Sequence, residues 1–167
     1  MSEQPIFLDW LFGQPYGWLV NSLTAPLDAS LGFNLHRVAL LFRRELLAAL
    51  EPWNLVAEQW QVLIALSASP KSRSQQDLAR LTLTDKHSLS RMLERMERAG
   101  WIERRKADHD ARASRVVLTD RAKTELPAMS AAVDARFHRV HALVSSTRRQ
   151  QLLEILLELR GKMEVSR

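Results

Sequence analysis

The run SQQDLARLTLTDKHSLSRMLERMERAGWIERRKADHDARASRVVLT, Ser74 to Thr119, decides how this chain folds. Ser74-Gln75-Gln76-Asp77 has the form of a capping box with Asp in place of Glu or Gln, and it opens a short helix reaching Leu81. Thr84 or Asp85 is placed to cap a second helix over residues 85–99, with Gly100 where a left-handed residue ends a helix. On that second helix Leu89, Leu93 and Met96, with Met92 beside them, share one stripe. His87, Ser90, Arg91, Glu94 and Arg95 fall on the opposite side. Leu78, Ala79 and Leu81 of the first helix join the same core, and small Ala79 allows close approach. Residues 101–106 and 114–118 are β-rich, and the polar loop 107–113 makes them a hairpin. Two short helices, a tight turn and a basic hairpin predict a winged helix-turn-helix.

Charge falls on the same stretch. The window from Lys71 to Arg115 holds twelve of the 24 Lys and Arg but only seven of the 19 Asp and Glu, so the rest of the chain carries twelve of each. A cationic module on a neutral scaffold is the footprint of a protein that meets a polyanion with one face. The helix places donors of suitable length for base edges and phosphates opposite its core stripe. In the loop, Arg112 can reach a narrow minor groove, and Asp110 two residues earlier can hold its guanidinium in orientation. Lys71, Arg73, Lys86 and Arg115 are then the expected phosphate contacts. His87, Ser90, Arg91 and Arg95 are the expected readers of sequence.

Outward from this module the pattern is helical. Leu35, Val38, Ala39, Phe42, Leu46, Leu47 and Leu50 recur at three and four from Phe33 onward, and Pro52 stops that helix. Val56, Trp60, Leu63, Ile64 and Leu66 mark a helix that is apolar on most sides and ends before Pro70. A long helix begins at Thr119-Asp120 and reaches about Val144, with either a late start near Leu126 or a kink at Pro127. A last helix over residues 147–163 carries Leu152, Leu153, Ile155, Leu156 and Leu159. Residues 1–32 form an extension whose first 30 hold five of the eleven aromatics, Phe7, Trp10, Phe12, Tyr16 and Trp18, interrupted by Pro and Gly. So many aromatics predict packing on the body or on a second copy.

Other chemistry finds little footing. Cysteine is absent, which excludes disulfides and thiolate metal sites. His138 and His141 lie three apart, but a carboxylate such as Glu45 or Asp134 has to arrive by folding, so no metal is expected. His36 stands alone, and His109 reads as a solvent or phosphate contact. There is no Gly-rich phosphate loop, nucleophile elbow or zinc-hydrolase motif, and no cofactor or enzymatic activity is expected. No apolar run reaches the ~18 residues of a membrane span. The first Lys or Arg is Arg37, which leaves a secretory signal without its positive start, and the expected location is the cytoplasm.

The residues at 74–81, 85–102, 110–113 and 117–119 together resemble the multiple antibiotic resistance regulator (MarR) family, over a span from about Phe33 to the C-terminus. The wing followed by Leu118-Thr119 is the most specific part. The resemblance implies a homodimer paired through N- and C-terminal helices, here 33–54 and 120–167, around a DNA-binding domain at 55–119. It implies a pseudo-palindromic operator on double-stranded DNA, usually repressed. It also implies that Ser88, Ser90, Arg91 and Arg95 face the major groove, and that Arg112 enters the minor groove with Asp110 behind it. A small aromatic effector is implied too, with Phe33, Phe42, Trp53 and Trp60 as a candidate pocket that reads equally as solid core. Two positions depart from the family pattern. Ala111 replaces a common second arginine, and Ala122 replaces a glycine. The alternative is a winged-helix protein-interaction module without sequence-specific DNA binding, docking a partner through the aromatic N-terminus.

Overall fold

The computed structural model describes residues 30–69, 72–107 and 110–165, with the side chains of 106, 107 and 110–114 excepted. The aromatic segment 1–29 lies outside the described residues, as do Lys71, Asp108 and His109. The chain divides into two compact units, 1–44 and 45–167.

The described part of the first unit belongs to helix α1 (Leu31–Leu50), which continues into the second. The helix starts at Leu31, so the expected extension 1–32 gives up its last two residues. Ser30 is the cause: its hydroxyl oxygen accepts the Phe33 N–H at 3.3 Å and its carbonyl accepts the Asn34 N–H at 3.1 Å. The Arg37 guanidinium lies over the Phe33 ring at 5.7 Å. At its far end α1 stops at Leu50. Pro52 follows within a 3-10 turn, Glu51–Trp53, that Asn54 closes in the left-handed conformation.

The second unit contains α2 (Ala57–Ser67), β1 (Arg73–Ser74), α3 (Gln75–Thr82), α4 (Lys86–Arg98), β2 (Ile102–Ala107), β3 (Asp110–Leu118), α5 (Asp120–His141) and α6 (Ser146–Val165). Its core is continuous: Leu50, Val62, Leu63, Leu78, Leu89, Leu93, Met96, Ile102, Val116 and Met129 are fully buried. Burying each such side chain contributes about 1.5–3 kcal/mol before entropy is counted. α2 is buried at Trp60, Leu63 and Leu66 as expected and also at Val62, while Ile64 and the preceding Val56 face outward.

The sheet is three-stranded and antiparallel in the order β1-β3-β2. The first strand, only two residues long, is too short to leave a periodic signal; it pairs Arg73 with Val116 and Ser74 with Arg115. The expected loop 107–113 is corrected. Strand pairing runs on to Ala107 and resumes at Asp110, and the register jumps from Lys106 opposite Ser114 to Ala107 opposite Asp110. Polar residues hid this extension, because backbone pairing continues where there is no core to alternate against.

Of the two alternatives at Pro127, a late start or a kink, the late start of α5 is also corrected. The Thr119 side chain accepts the Ala122 N–H at 3.1 Å, which caps a helix that begins at Asp120 and runs through Pro127. The missing Pro127 N–H leaves the Lys123 carbonyl without its usual donor. Ala122 and Met129, buried on either side of it, hold the helix together.

α3 ends in a Schellman motif: Thr84 N–H bonds the Ala79 carbonyl and Leu83 N–H the Arg80 carbonyl. Leu83 therefore adopts φ +50°, the conformation that suits glycine or asparagine, and its side chain is 81% exposed. Little packing opposes the strain. Replacing Leu83 by Asn is expected to stabilise the fold by up to about 1 kcal/mol, read from urea denaturation midpoints at constant m. A loss of stability would show that the exposed leucine makes a contact worth more than its strain.

Candidate nucleic-acid interface

α4 is positioned at both ends by its own sequence. At the N-terminus Asp85 accepts the backbone N–H groups of His87 at 3.1 Å and Ser88 at 2.9 Å. The Ser88 N–H, then its hydroxyl, hold the Asp85 carboxyl below its ordinary value. One helix earlier Asp77 is lowered in the same way, first by the Ser74 hydroxyl at 2.6 Å and then by the Ser74 N–H. At the C-terminus Trp101 N–H bonds the Met96 carbonyl and Gly100 N–H the Glu97 carbonyl, each at 2.9 Å. Gly100 supplies the required φ of +74°.

Between these ends the helix is divided. Leu89, Met92, Leu93 and Met96 are buried, and Lys86, His87, Arg91, Glu94 and Arg95 are exposed. The side chains of Lys86, His87, Arg91 and Arg95 have no partner among the described residues. Ser88 and Ser90 are half-buried at the edges of this face, and the Ser90 hydroxyl donates to Glu94 Oε1 at 3.4 Å. The expected groove face of α4 is thus brought together on one side of one helix. It presents cations that the protein does not neutralise internally.

The other expected cations behave differently. Arg73 donates Nε to the Ala65 carbonyl at 2.8 Å and pins β1 to the end of α2. Arg115 donates to the Ser72 carbonyl at 3.4 Å and is half-buried. Each thus makes one internal hydrogen bond through its guanidinium. Asp110 and Arg112 sit at the start of β3, and the orientation of their side chains lies outside the described residues.

Sequence reading missed two braces. Glu97, on α4, receives both the backbone N–H of Arg104 at 2.9 Å and its guanidinium at 2.8 Å. Burial pushes the Glu97 carboxyl up, but these two Arg104 hydrogen bonds outweigh it, and the net shift is downward. From the other side Arg121 of α5 donates to the Ala99 carbonyl at 2.8 Å, covers the Trp101 ring at 4.0 Å and reaches Glu125 at 3.5 Å. The Trp53 indole N–H also donates to Glu125, at 2.6 Å. The sequence signal for the first brace is a pair of opposite charges flanking the Gly100 turn, which spacing alone cannot tell from solvated surface.

The four aromatics of the candidate effector pocket are divided between the units. Phe33 and Phe42 belong to the first and are half-buried. Of the second, Trp60 lies in the core and Trp53 is half-buried on Glu125. His138 and His141 have no third ligand, since no group of three His, Cys, Asp or Glu is assembled among the described residues. His141 packs on Phe137 at 6.2 Å between ring centroids. A cleft of about 490 Å³ opens between the end of α2, β3 and the start of α5, lined by Leu66, Ser72, Arg105, Val117, Lys123 and Leu126 among others. No helix of the described residues is long and apolar enough to cross a membrane.

A capped two-helix unit with an outward cationic helix, followed by a β-hairpin, defines a winged-helix DNA-binding protein. The MarR family profile matches residues 53–113. The fold superposes on the transcriptional repressor CouR bound to a 23-mer DNA duplex, with 27% identity, TM-score 0.76, and 81% of this chain and 96% of that one covered. A probable transcriptional regulator from Pseudomonas aeruginosa matches at 26% identity and TM-score 0.72, covering 80% and 98%. The Mycobacterium tuberculosis MarR family protein Rv2887, in complex with salicylic acid, matches at 30% identity and TM-score 0.62, covering 79% and 97%. The chain belongs to the MarR family of transcriptional regulators.

The caps make a pH prediction. A carboxyl whose value is lowered on folding contributes stability above its unfolded value, here 3.8 for Asp85, and loses it as pH falls through the lower folded value. Asp85→Asn keeps a capping oxygen but cannot titrate. It is expected to flatten the fall of thermal midpoint with acid below about pH 4 while leaving α4 helical at neutral pH. An unchanged acid limb would remove Asp85 from the acid response.

Proposed function

We propose that this protein is a homodimeric repressor that binds a pseudo-palindromic operator, with α4 of each copy in the major groove and the wing, residues 107–113, in the minor groove. The exposed, unneutralised face of α4 carries this reading. Lys86 and His87 lie at the helix entrance, and Arg91 and Arg95 follow one turn apart along it. Lys86 grips phosphate, while His87, Ser88, Ser90, Arg91 and Arg95 lie along base edges. Asp110 orients Arg112 for the minor groove, and Arg115 steadies the base of the wing. That the relative CouR, similar over nearly its whole length, is a transcriptional repressor bound to a DNA duplex supports DNA as the partner.

Self-association is supported by α6. None of its 20 residues is buried, although Leu152, Leu153, Ile155, Leu156, Leu157 and Leu159 are all apolar. An apolar helix face of this size is covered in the working molecule, and a second copy through helices 33–54 and 120–167 is the occupant that two symmetric half-sites require. The regulator works in the cytoplasm, and a small aromatic acid releases it from DNA. The salicylic acid complex of the relative from Mycobacterium tuberculosis supports that class of effector.

A gel shift on DNA upstream of the protein's own gene tests the reading. Arg91→Ala and Arg112→Ala are each expected to cost about 1–3 kcal/mol of operator binding. Affinity falls steeply with salt because each neutralised phosphate releases counterions. Equal binding by the parent and both variants, or no dependence on salt, would sink it. Sedimentation is expected to give twice the chain mass of 19.2 kDa. A monomer that joins a different protein and shifts no DNA would favour the interaction-module alternative.

A further inference from the structure

We propose that Glu97 and Arg104 form a clamp that sets the angle between the α4 helix and the wing, which makes both of them positioning residues for operator discrimination. The inference rests on the DNA-binding reading above and deepens it. A helix in one groove and a hairpin in the next can be satisfied together only when the two are held at a fixed separation. A two-stranded ribbon is a pliable lever, and bulges let it bend. The register jump beyond Lys106 places such an irregularity in the outer part of this wing.

The clamp sits at the root of that lever. Arg104 is the third residue of β2 and pairs with Val116, which is fully buried. Its backbone N–H and its guanidinium converge on the two oxygens of one carboxylate, at 2.9 Å and 2.8 Å. The backbone bond fixes where the strand lies relative to α4. The guanidinium bond fixes how it is turned. Both side chains are about one-quarter to one-third exposed, 25% for Arg104 and 36% for Glu97, so the contact is partly shielded from water. Glu97 lies one turn past Leu93 on α4. The neighbouring Glu103 is taken by Arg105 at 2.8 Å. Arg104 is therefore a cation of the basic window that serves geometry, and it is withheld from phosphate.

That assignment gives opposite signs for two explanations. Were Arg104 a phosphate contact held back by Glu97, removing the Glu97 charge would free it and tighten binding to any duplex. As a clamp, removing either partner loosens the wing and weakens only the binding that needs both grooves. The experiment measures affinity for the upstream DNA fragment and for a random-sequence duplex of equal length, over a series of salt concentrations, with thermal midpoints in parallel. Glu97→Gln and Arg104→Lys are each expected to lower the ratio of the two affinities about tenfold, the scale of one lost groove contact. The double variant loses little more than either single one, because the clamp is already open. Random-duplex affinity and the salt slope stay near the parent's, and the midpoint moves by only a few degrees.

Tighter binding by Glu97→Gln to both duplexes overturns the clamp in favour of a restrained phosphate contact. Equal losses on both duplexes with a large fall in midpoint make the pair merely structural and also overturn it. A parent protein that cannot tell the two duplexes apart overturns the DNA-binding reading and the clamp's role with it. A discriminating parent with undiminished variants overturns the clamp alone.

Discussion

The molecule depends on one division, that of α4 into a buried and an exposed half. Leu89, Leu93 and Met96 are so thoroughly enclosed that rotating the helix by one residue would drag charge into the core. Burying an unpaired guanidinium costs several kcal/mol, more than any surface contact returns. The apolar half therefore aims the cationic half. No specific interaction with DNA is needed to point Arg91 and Arg95 outward, because the core of α2, α3, β2 and β3 does so before any ligand arrives.

A helix aimed in this way still has to be anchored along its axis, and here the end matters more than the middle. The Gly100 turn is gripped by Thr119, whose hydroxyl donates to the Gly100 carbonyl at 2.7 Å, and by Arg121, whose head lies across Trp101. Glu97 takes Arg104 on the opposite side. Wing and α5 thus both report to the last turn of α4. Trp53, at the close of α1, reaches the same assembly through Glu125. Several cations of the basic window are used in this internal framework, so formal charge overstates what remains for an outside partner.

Most of this architecture was legible in the chain because local rules agree there with tertiary packing. The stripe on α4, the Ser74–Asp77 box, the Asp85 cap and the Gly100 stop each carry a backbone requirement that a residue type declares. The places that were not legible share a different property. β1 is two residues whose pairing is decided by a strand forty residues later. The wing's outer pairing has no core face to produce alternation. Pro127 is a helix breaker by local rules, whereas the Thr119 cap and the buried residues on either side of the proline decide the outcome. The braces reach across the Gly100 turn, Glu97 to Arg104 and Arg121 to the Ala99 carbonyl and the Trp101 ring, and a sequence shows charges without showing what they meet. The cationic residues of α4 are legible as a face, while the roles proposed for Asp110 and Arg112 rest on their spacing and on the family pattern.

The bare final helix has its own consequence. A 20-residue segment with no buried side chain draws little from the core of its own chain beyond hydrogen bonds at its first turn, and isolated helices of that length are only marginal in water. Its order has to be lent by whatever covers it. Under the proposed self-association, shape and abundance become linked: at the lowest copy numbers in a cell this helix frays and tempts proteases, whereas a fuller population protects itself.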